Sequence, residues 1–214
     1  MMDRDFKGLI FNLDGVICNT DRYHHLAWAE TCRRHLIHFD EDTEEVIRGK
    51  TRRTSLELIL KMSGDRISEK EKEEILIEKN DLYKSYLASM PDDIMVPGAV
   101  ETLEKLMAAG YRMAIGSSSR NTKLVLETLG LTRYFHAVVD GKMIHTNKPD
   151  PEVFYKAASM MELHPEDCLV IENTESGIRA GINGGFRTAG IGLAAKLNEI
   201  HYMLSEFSDL LLFL

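Results

Sequence analysis

The feature that most constrains this chain is a repeated pattern. A short apolar run is closed by a polar cluster and followed by a segment of helical periodicity. Gly8-Leu9-Ile10-Phe11 ends in Asn12-Leu13-Asp14-Gly15, and Tyr111-Arg112-Met113-Ala114-Ile115-Gly116 runs into Ser117-Ser118-Ser119. Cys168-Leu169-Val170-Ile171 runs into Glu172-Asn173 in the same way. Apolar runs of this length read as strands buried on both faces of a parallel sheet. Two more are expected at 137–139 and 187–191, with helices over 99–109, 122–129, 151–161 and 176–183 between the strands. Such alternation implies right-handed βαβ units.

The predicted fold class is therefore α/β, a Rossmann-like parallel sheet core with helices on both faces. From residue 20 to about 90 the chain is highly charged and helical in period, with no convincing strand. Leu56, Ile59 and Leu60 share one face, and Ile75, Leu82 and Tyr83 another. This insert follows directly on the first polar cluster, so it is expected to form a helical cap domain over 18–91. The core domain then takes 1–17 and 92–214. In open parallel sheets ligands sit beyond the carboxyl ends of the strands, so the three polar clusters are expected to converge.

Composition narrows the partners. A formal net charge of −8 over 214 residues repels nucleic acid unless a dense basic patch offsets it, and only Lys50, Arg52 and Arg53 cluster. Cys18, Cys32 and Cys168 show no CxxC spacing, which argues against a disulfide framework or a zinc site. The opening residues do not resemble a signal peptide, and no apolar run approaches the ~20 residues of a membrane helix. The expectation is a cytoplasmic protein, a monomer by default, with a small-molecule ligand.

The segments FNLDGVICNT, TDRYHHLAW, RGKTRRTSLELIL, EKNDLYK, SSSRN, NKPDPEVF and IENTESGI together resemble the haloacid dehalogenase superfamily of phosphotransferases, and within it the β-phosphoglucomutase group. The resemblance covers nearly the whole chain. It implies a DxDG motif whose first Asp attacks phosphorus and whose second is general acid and base. Here the second is Asp14, followed by Gly15, but the first position is Asn12. An amide is a very weak nucleophile toward a phosphoryl group, so attack by this side chain should largely disappear while ligand binding persists. An engineered substitution, a natural loss of catalysis and deamidation are all compatible with an Asn here; the bulky Leu13 disfavours rapid deamidation.

The resemblance also implies Mg²⁺ held by the side chain of residue 12, the Asp14 carbonyl, Glu172 and Asn173. Asn173 stands where many relatives carry Asp. Mg²⁺ prefers hard oxygen ligands, and an amide oxygen can fill such a place. With Glu172 the sole charged side chain of that set, weakened Mg²⁺ affinity is expected in the absence of substrate phosphate. Taken alone, Glu172-Asn173 reads more readily as a helix N-cap with an acidic neighbour.

By the same resemblance, Ser117 and the Ser118 amide hold the reacting phosphate, and Ser119, Arg120 and Asn121 reach a second one. Lys148 supplies a fixed positive charge for the transferring group. In the cap, Thr20, His24, Trp28, Gly49, Arg52 and Lys79 match substrate contacts, with Arg52 suited to clasp a second phosphate. Trp28 alone reads as core. The implied activity is a Mg²⁺-dependent mutase interconverting β-glucose 1-phosphate and glucose 6-phosphate through an aspartyl phosphate, impaired here by Asn12. A phosphatase or pyrophosphatase of the same superfamily and a catalytically silent sugar-phosphate binding protein are the alternatives.

Overall fold

The structure is a computed structural model that describes residues 6–48, 50–89 and 94–214. It divides into two compact units, Met1–Asn19 with Asp92–Leu214, and Thr20–Pro91. Cys18 and Asn19 belong with the first unit through backbone hydrogen bonds. Gly15 N–H donates to the Cys18 carbonyl at 2.7 Å, and Asn19 N–H to the Ile94 carbonyl at 2.9 Å.

The first unit is built on strands β1 (Gly8–Phe11), β2 (Arg112–Gly116), β3 (Ala137–Val139), β4 (Cys168–Glu172), β5 (Arg187–Ile191) and β6 (Tyr202–Leu204). They form one sheet in the order β3-β2-β1-β4-β5-β6, and every neighbouring pair is parallel. The strand order reverses between β1 and β4, where a ligand crevice is expected. β1 is buried throughout, since both its edges are paired and both its faces covered.

The sheet carries helices on both faces. The second unit is all-helical and holds α1 (Asp21–Arg34), α2 (Glu41–Ile47), α3 (Arg52–Ser63) and α4 (Glu69–Ala88). The sheet unit contributes α5 (Ala99–Ala108), α6 (Thr122–Thr128), α7 (Glu152–Met160) and α8 (Glu175–Asn183). Ile10, Ala114, Cys168 and Val170 pack with Val153, Phe154, Ala157 and Ala180 in one core cluster. Phe11 points the other way, with its ring 5.8 Å from that of Phe207 and 6.2 Å from that of Phe135.

The sequence reading did not include strand β6 or the 3-10 turn Phe207–Leu212 that follows it, in which Phe207 and Leu210 are buried. In the helical unit the core gathers Trp28, Cys32, Leu56, Ile59, Leu60, Ile75 and Leu76, whereas Leu82 is half-buried.

Local chemistry sets the helix ends. Ser68 opens α4 with a capping box, accepting from Glu71 N–H at 3.2 Å while Glu71 Oε2 accepts from Ser68 N–H at 2.8 Å. Thr51 caps α3, which stops at Gly64 in the left-handed region, φ 79°. Thr174 caps α8 by accepting from Gly177 N–H at 3.1 Å. No described helix is long and apolar enough to cross a membrane.

Candidate functional site

Parallel pairing delivers the polar clusters to one place. Phe11 lies level with Ile115 on one side and Ile171 on the other, so Asn12, Ser117 and Glu172-Asn173 emerge at adjacent strand ends. Asn12 N–H still follows the sheet, donating to the Ile171 carbonyl at 3.0 Å. Its side chain, 9% exposed, then makes three contacts. Nδ2 lies 3.0 Å from the Asp14 carbonyl and 3.0 Å from Asn173 Oδ1, while Oδ1 faces Lys148 Nζ at 3.4 Å. The opposite orientation would set the amide nitrogen against an ammonium and the amide oxygen against two oxygens, so the network selects this one.

Lys148 is anchored from three sides. Its ammonium donates to Glu172 Oε1 at 2.6 Å and to the Gly116 carbonyl at 3.0 Å, and lies 4.7 Å from the Phe154 ring centre. Glu172 is fully buried. Its other oxygen, Oε2, accepts from Asn173 N–H (2.8 Å), Thr174 N–H (2.9 Å) and the Thr174 hydroxyl (2.9 Å). A buried carboxylate needs this degree of satisfaction. Gly177 makes room for it, since a Cβ there would stand 2.0 Å from Glu172 Cδ. At Gly15, with φ +73°, a Cβ would stand 2.0 Å from Asn173 Nδ2, so glycine meets both the turn and the close approach of the amide.

Ser117 is buried, and its Oγ accepts from Ser119 N–H at 3.2 Å. Ser118 and Ser119 are half-buried, Arg120 is exposed, and Asn121 occupies the N-cap position of α6, its N–H donating to Ser119 Oγ at 3.3 Å. Asp14 is half-buried beside this group. Sequence reasoning passed over Gly116, Thr174 and Gly177, which hold Lys148 and Glu172 in place. The Thr-x-x-Gly spacing after the acid was their one legible signal.

The helical unit carries its own cluster. Lys79 is 2% exposed, and its ammonium donates to His24 Nδ1 at 2.7 Å, with the Trp28 and Tyr83 ring centres at 5.3 and 4.8 Å. The His24 and Tyr83 rings stack at 4.1 Å, and Thr20 Oγ1 lies 2.9 Å from the Tyr83 hydroxyl. Burial, then the Lys79 and Arg52 cations, hold the His24 imidazole well below its ordinary pKa, so Nδ1 remains an acceptor. Arg52 is half-buried and donates to the Leu76 carbonyl at 3.0 Å. Lys79 and Trp28 are both buried within this unit, the ammonium held against aromatic faces and a neutral imidazole. Tyr83, which organises the stack, was not anticipated as a site residue. Gly49 lies outside the described residues.

One surface hollow of about 400 Å³ lies away from this site, lined by residues such as Tyr155, Leu163 and His164. Leu163 packs on Gly8, at the opposite end of β1.

The family profile for haloacid dehalogenase-like hydrolases matches residues 9–191. A β-phosphoglucomutase of Bacillus subtilis is 35% identical over 96% of this chain and 92% of its own length. Fructose-1-phosphate phosphatase YqaB of Escherichia coli is 26% identical over 88% and 97%. Among solved structures, β-phosphoglucomutase from Clostridium difficile superposes with a TM-score of 0.87 at 29% identity, covering 96% of this chain and 93% of that one. The relatives are phosphomutases and phosphatases acting on small phosphorylated metabolites. The chain belongs to the haloacid dehalogenase-like hydrolases and is, by family, a phosphoryl-transfer enzyme.

Proposed function

We propose that this chain binds a phosphorylated sugar in a phosphoglucomutase-like site without passing the phosphate through residue 12. The observation that carries the reading is Asn12, whose amide stands at the nucleophile position and is held by Asp14, Asn173 and Lys148. The amide nitrogen's lone pair is delocalised and its oxygen carries no full charge, so it makes a poor nucleophile toward phosphorus.

The phosphate-binding parts remain. Ser117, the Ser118 amide and Lys148 offer a hydroxyl, a backbone donor and a cation beyond the strand ends. Asp14 supplies the acid/base carboxylate for a sugar hydroxyl. Ser119, Arg120, Asn121 and Arg52 are the candidates for a second phosphate, and Thr20, His24, Trp28 and Lys79 for the sugar side. The identity to a β-phosphoglucomutase over nearly the full chain favours a hexose phosphate. A hydrolase of the same family is the second reading, favoured by the likeness to a sugar phosphatase.

Isothermal titration with β-glucose 1-phosphate and glucose 1,6-bisphosphate, alongside analysis of products, tests the proposal. Saturable binding of either sugar without free phosphate or isomerised product supports it. Release of inorganic phosphate from a monophosphate at enzymatic rates moves the hydrolase reading ahead, and absence of binding to both sugars removes the phosphosugar assignment.

A further inference from the structure

Members of the family generally use Mg²⁺. The donors gathered here do not suit that ion. Mg²⁺ asks for oxygen donors in near-octahedral array, with carboxylates supplying the charge. The residue 12 side chain instead turns an NH₂ toward the expected ion position. Its two hydrogens are taken up by the Asp14 carbonyl and Asn173 Oδ1, each at 3.0 Å, which are two of the oxygens that would otherwise face a cation. Both Glu172 oxygens are already engaged by protein donors. One oxygen is tied to Lys148 and the other to two backbone N–H groups and a hydroxyl. Among the described residues, no group of three or more His, Cys, Asp or Glu side chains is placed to hold a metal ion.

The charges agree with this geometry. In the pattern the chain resembles, positions 12 and 173 are both acids, and two carboxylates facing one another need a cation or a shared proton between them. Here both are amides. The paired exchange removes two negative charges, the same charge one divalent ion would bring, and the amide pair closes by its own hydrogen bond. A single exchange would remove only one of the two charges.

We propose that the Asn12–Asn173 amide pair takes the structural place of the divalent cation, so that this site receives a phosphate group without Mg²⁺. Lys148 is its fixed cation and Ser117 with the Ser118 amide its neutral donors. The ligand is a phosphate monoester or free phosphate, and this inference rests on the phosphosugar-binding reading above only for the identity of that ligand.

Two titrations of the full chain separate the claims. In the first, MgCl₂ alone is titrated into the wild type and into the Asn12→Asp/Asn173→Asp double variant, whose fold is checked by circular dichroism and thermal melting. The double variant should bind Mg²⁺ at least about tenfold more tightly than the wild type. Equal or tighter binding by the wild type overturns the proposal, whatever the ligand proves to be. In the second, inorganic phosphate and β-glucose 1-phosphate are titrated into the wild type in EDTA and in excess MgCl₂. Affinities within about twofold of each other are expected, and a tenfold gain on adding MgCl₂ overturns the proposal. Failure of both probes to bind in either buffer removes the phosphosugar reading and leaves the amide pair to be judged by the first titration. Should the double variant not fold, the Asn12→Asp and Asn173→Asp single variants replace it, each expected to bind Mg²⁺ more tightly than the wild type.

Discussion

Glu172 and Lys148 form a buried pair, 2.6 Å apart, with the carboxylate fully enclosed and the Lys side chain 8% exposed. Removing one member leaves the other charge buried and uncompensated, an effect of about 3–5 kcal/mol. Lys148→Met is therefore expected to lower unfolding free energy by that order in urea melts. Lys148→Met with Glu172→Gln should recover part of the loss, since a neutral amide tolerates the site better than a bare carboxylate. If the double variant is no more stable than Lys148→Met, the pair is not what holds Glu172. His24 gives a second prediction. Its folded pKa lies below 6.5, so as pH falls below about 6.5 the unfolded chain binds a proton that the folded chain does not, and stability drops. The contribution is at most about 1.4 kcal/mol per pH unit. Melting temperatures at pH 7.5 and 5.5 should show a smaller acid loss in His24→Gln than in the wild type.

At the scale of elements, legibility followed how strongly each segment satisfied a single rule. β1, β2 and β4 were plain because each is an apolar run closed by a polar cluster, and parallel pairing then carried Asn12, Ser117 and Glu172 together. β6 was missed because Tyr202-Met203-Leu204 is three residues long with Met203 61% exposed, so neither alternation nor continuous burial marks it. The burial of Lys79 was not legible for a different reason: Tyr83 lies one turn along its own helix, but Trp28, the other ring against it, comes from α1, far away in sequence. The Asn12–Asn173 hydrogen bond could not be read at all, because it joins positions 161 residues apart. Both residues were visible separately as departures from the family pattern, and only the fold shows them as one change. The caps were legible, and Ser68→Ala in the α4 capping box should cost about 1 kcal/mol, read as a lower urea midpoint with an unchanged slope.

Across the whole molecule, charge and cysteine chemistry describe a protein with a sealed interior. Cys18, Cys32 and Cys168 are buried and form no disulfide among the described residues, and burial pushes the Cys32 and Cys168 thiols up to about 12. A disulfide reagent such as DTNB should therefore label the native chain slowly and the urea-unfolded chain at three sites; rapid native labelling would show that one of these thiols is open. The central claim concerns residues 12 and 173, and it is tested most directly by restoring both acids. β-Glucose 1-phosphate, primed with glucose 1,6-bisphosphate in MgCl₂, is given to the wild type and to the Asn12→Asp/Asn173→Asp variant, and glucose 6-phosphate is followed by a coupled assay. The account predicts formation by the variant at a rate at least about a thousandfold above the wild type, the order expected when an absent catalytic nucleophile is returned. Equal turnover by the wild type would contradict it, because phosphoryl transfer would then proceed without a carboxylate at residue 12.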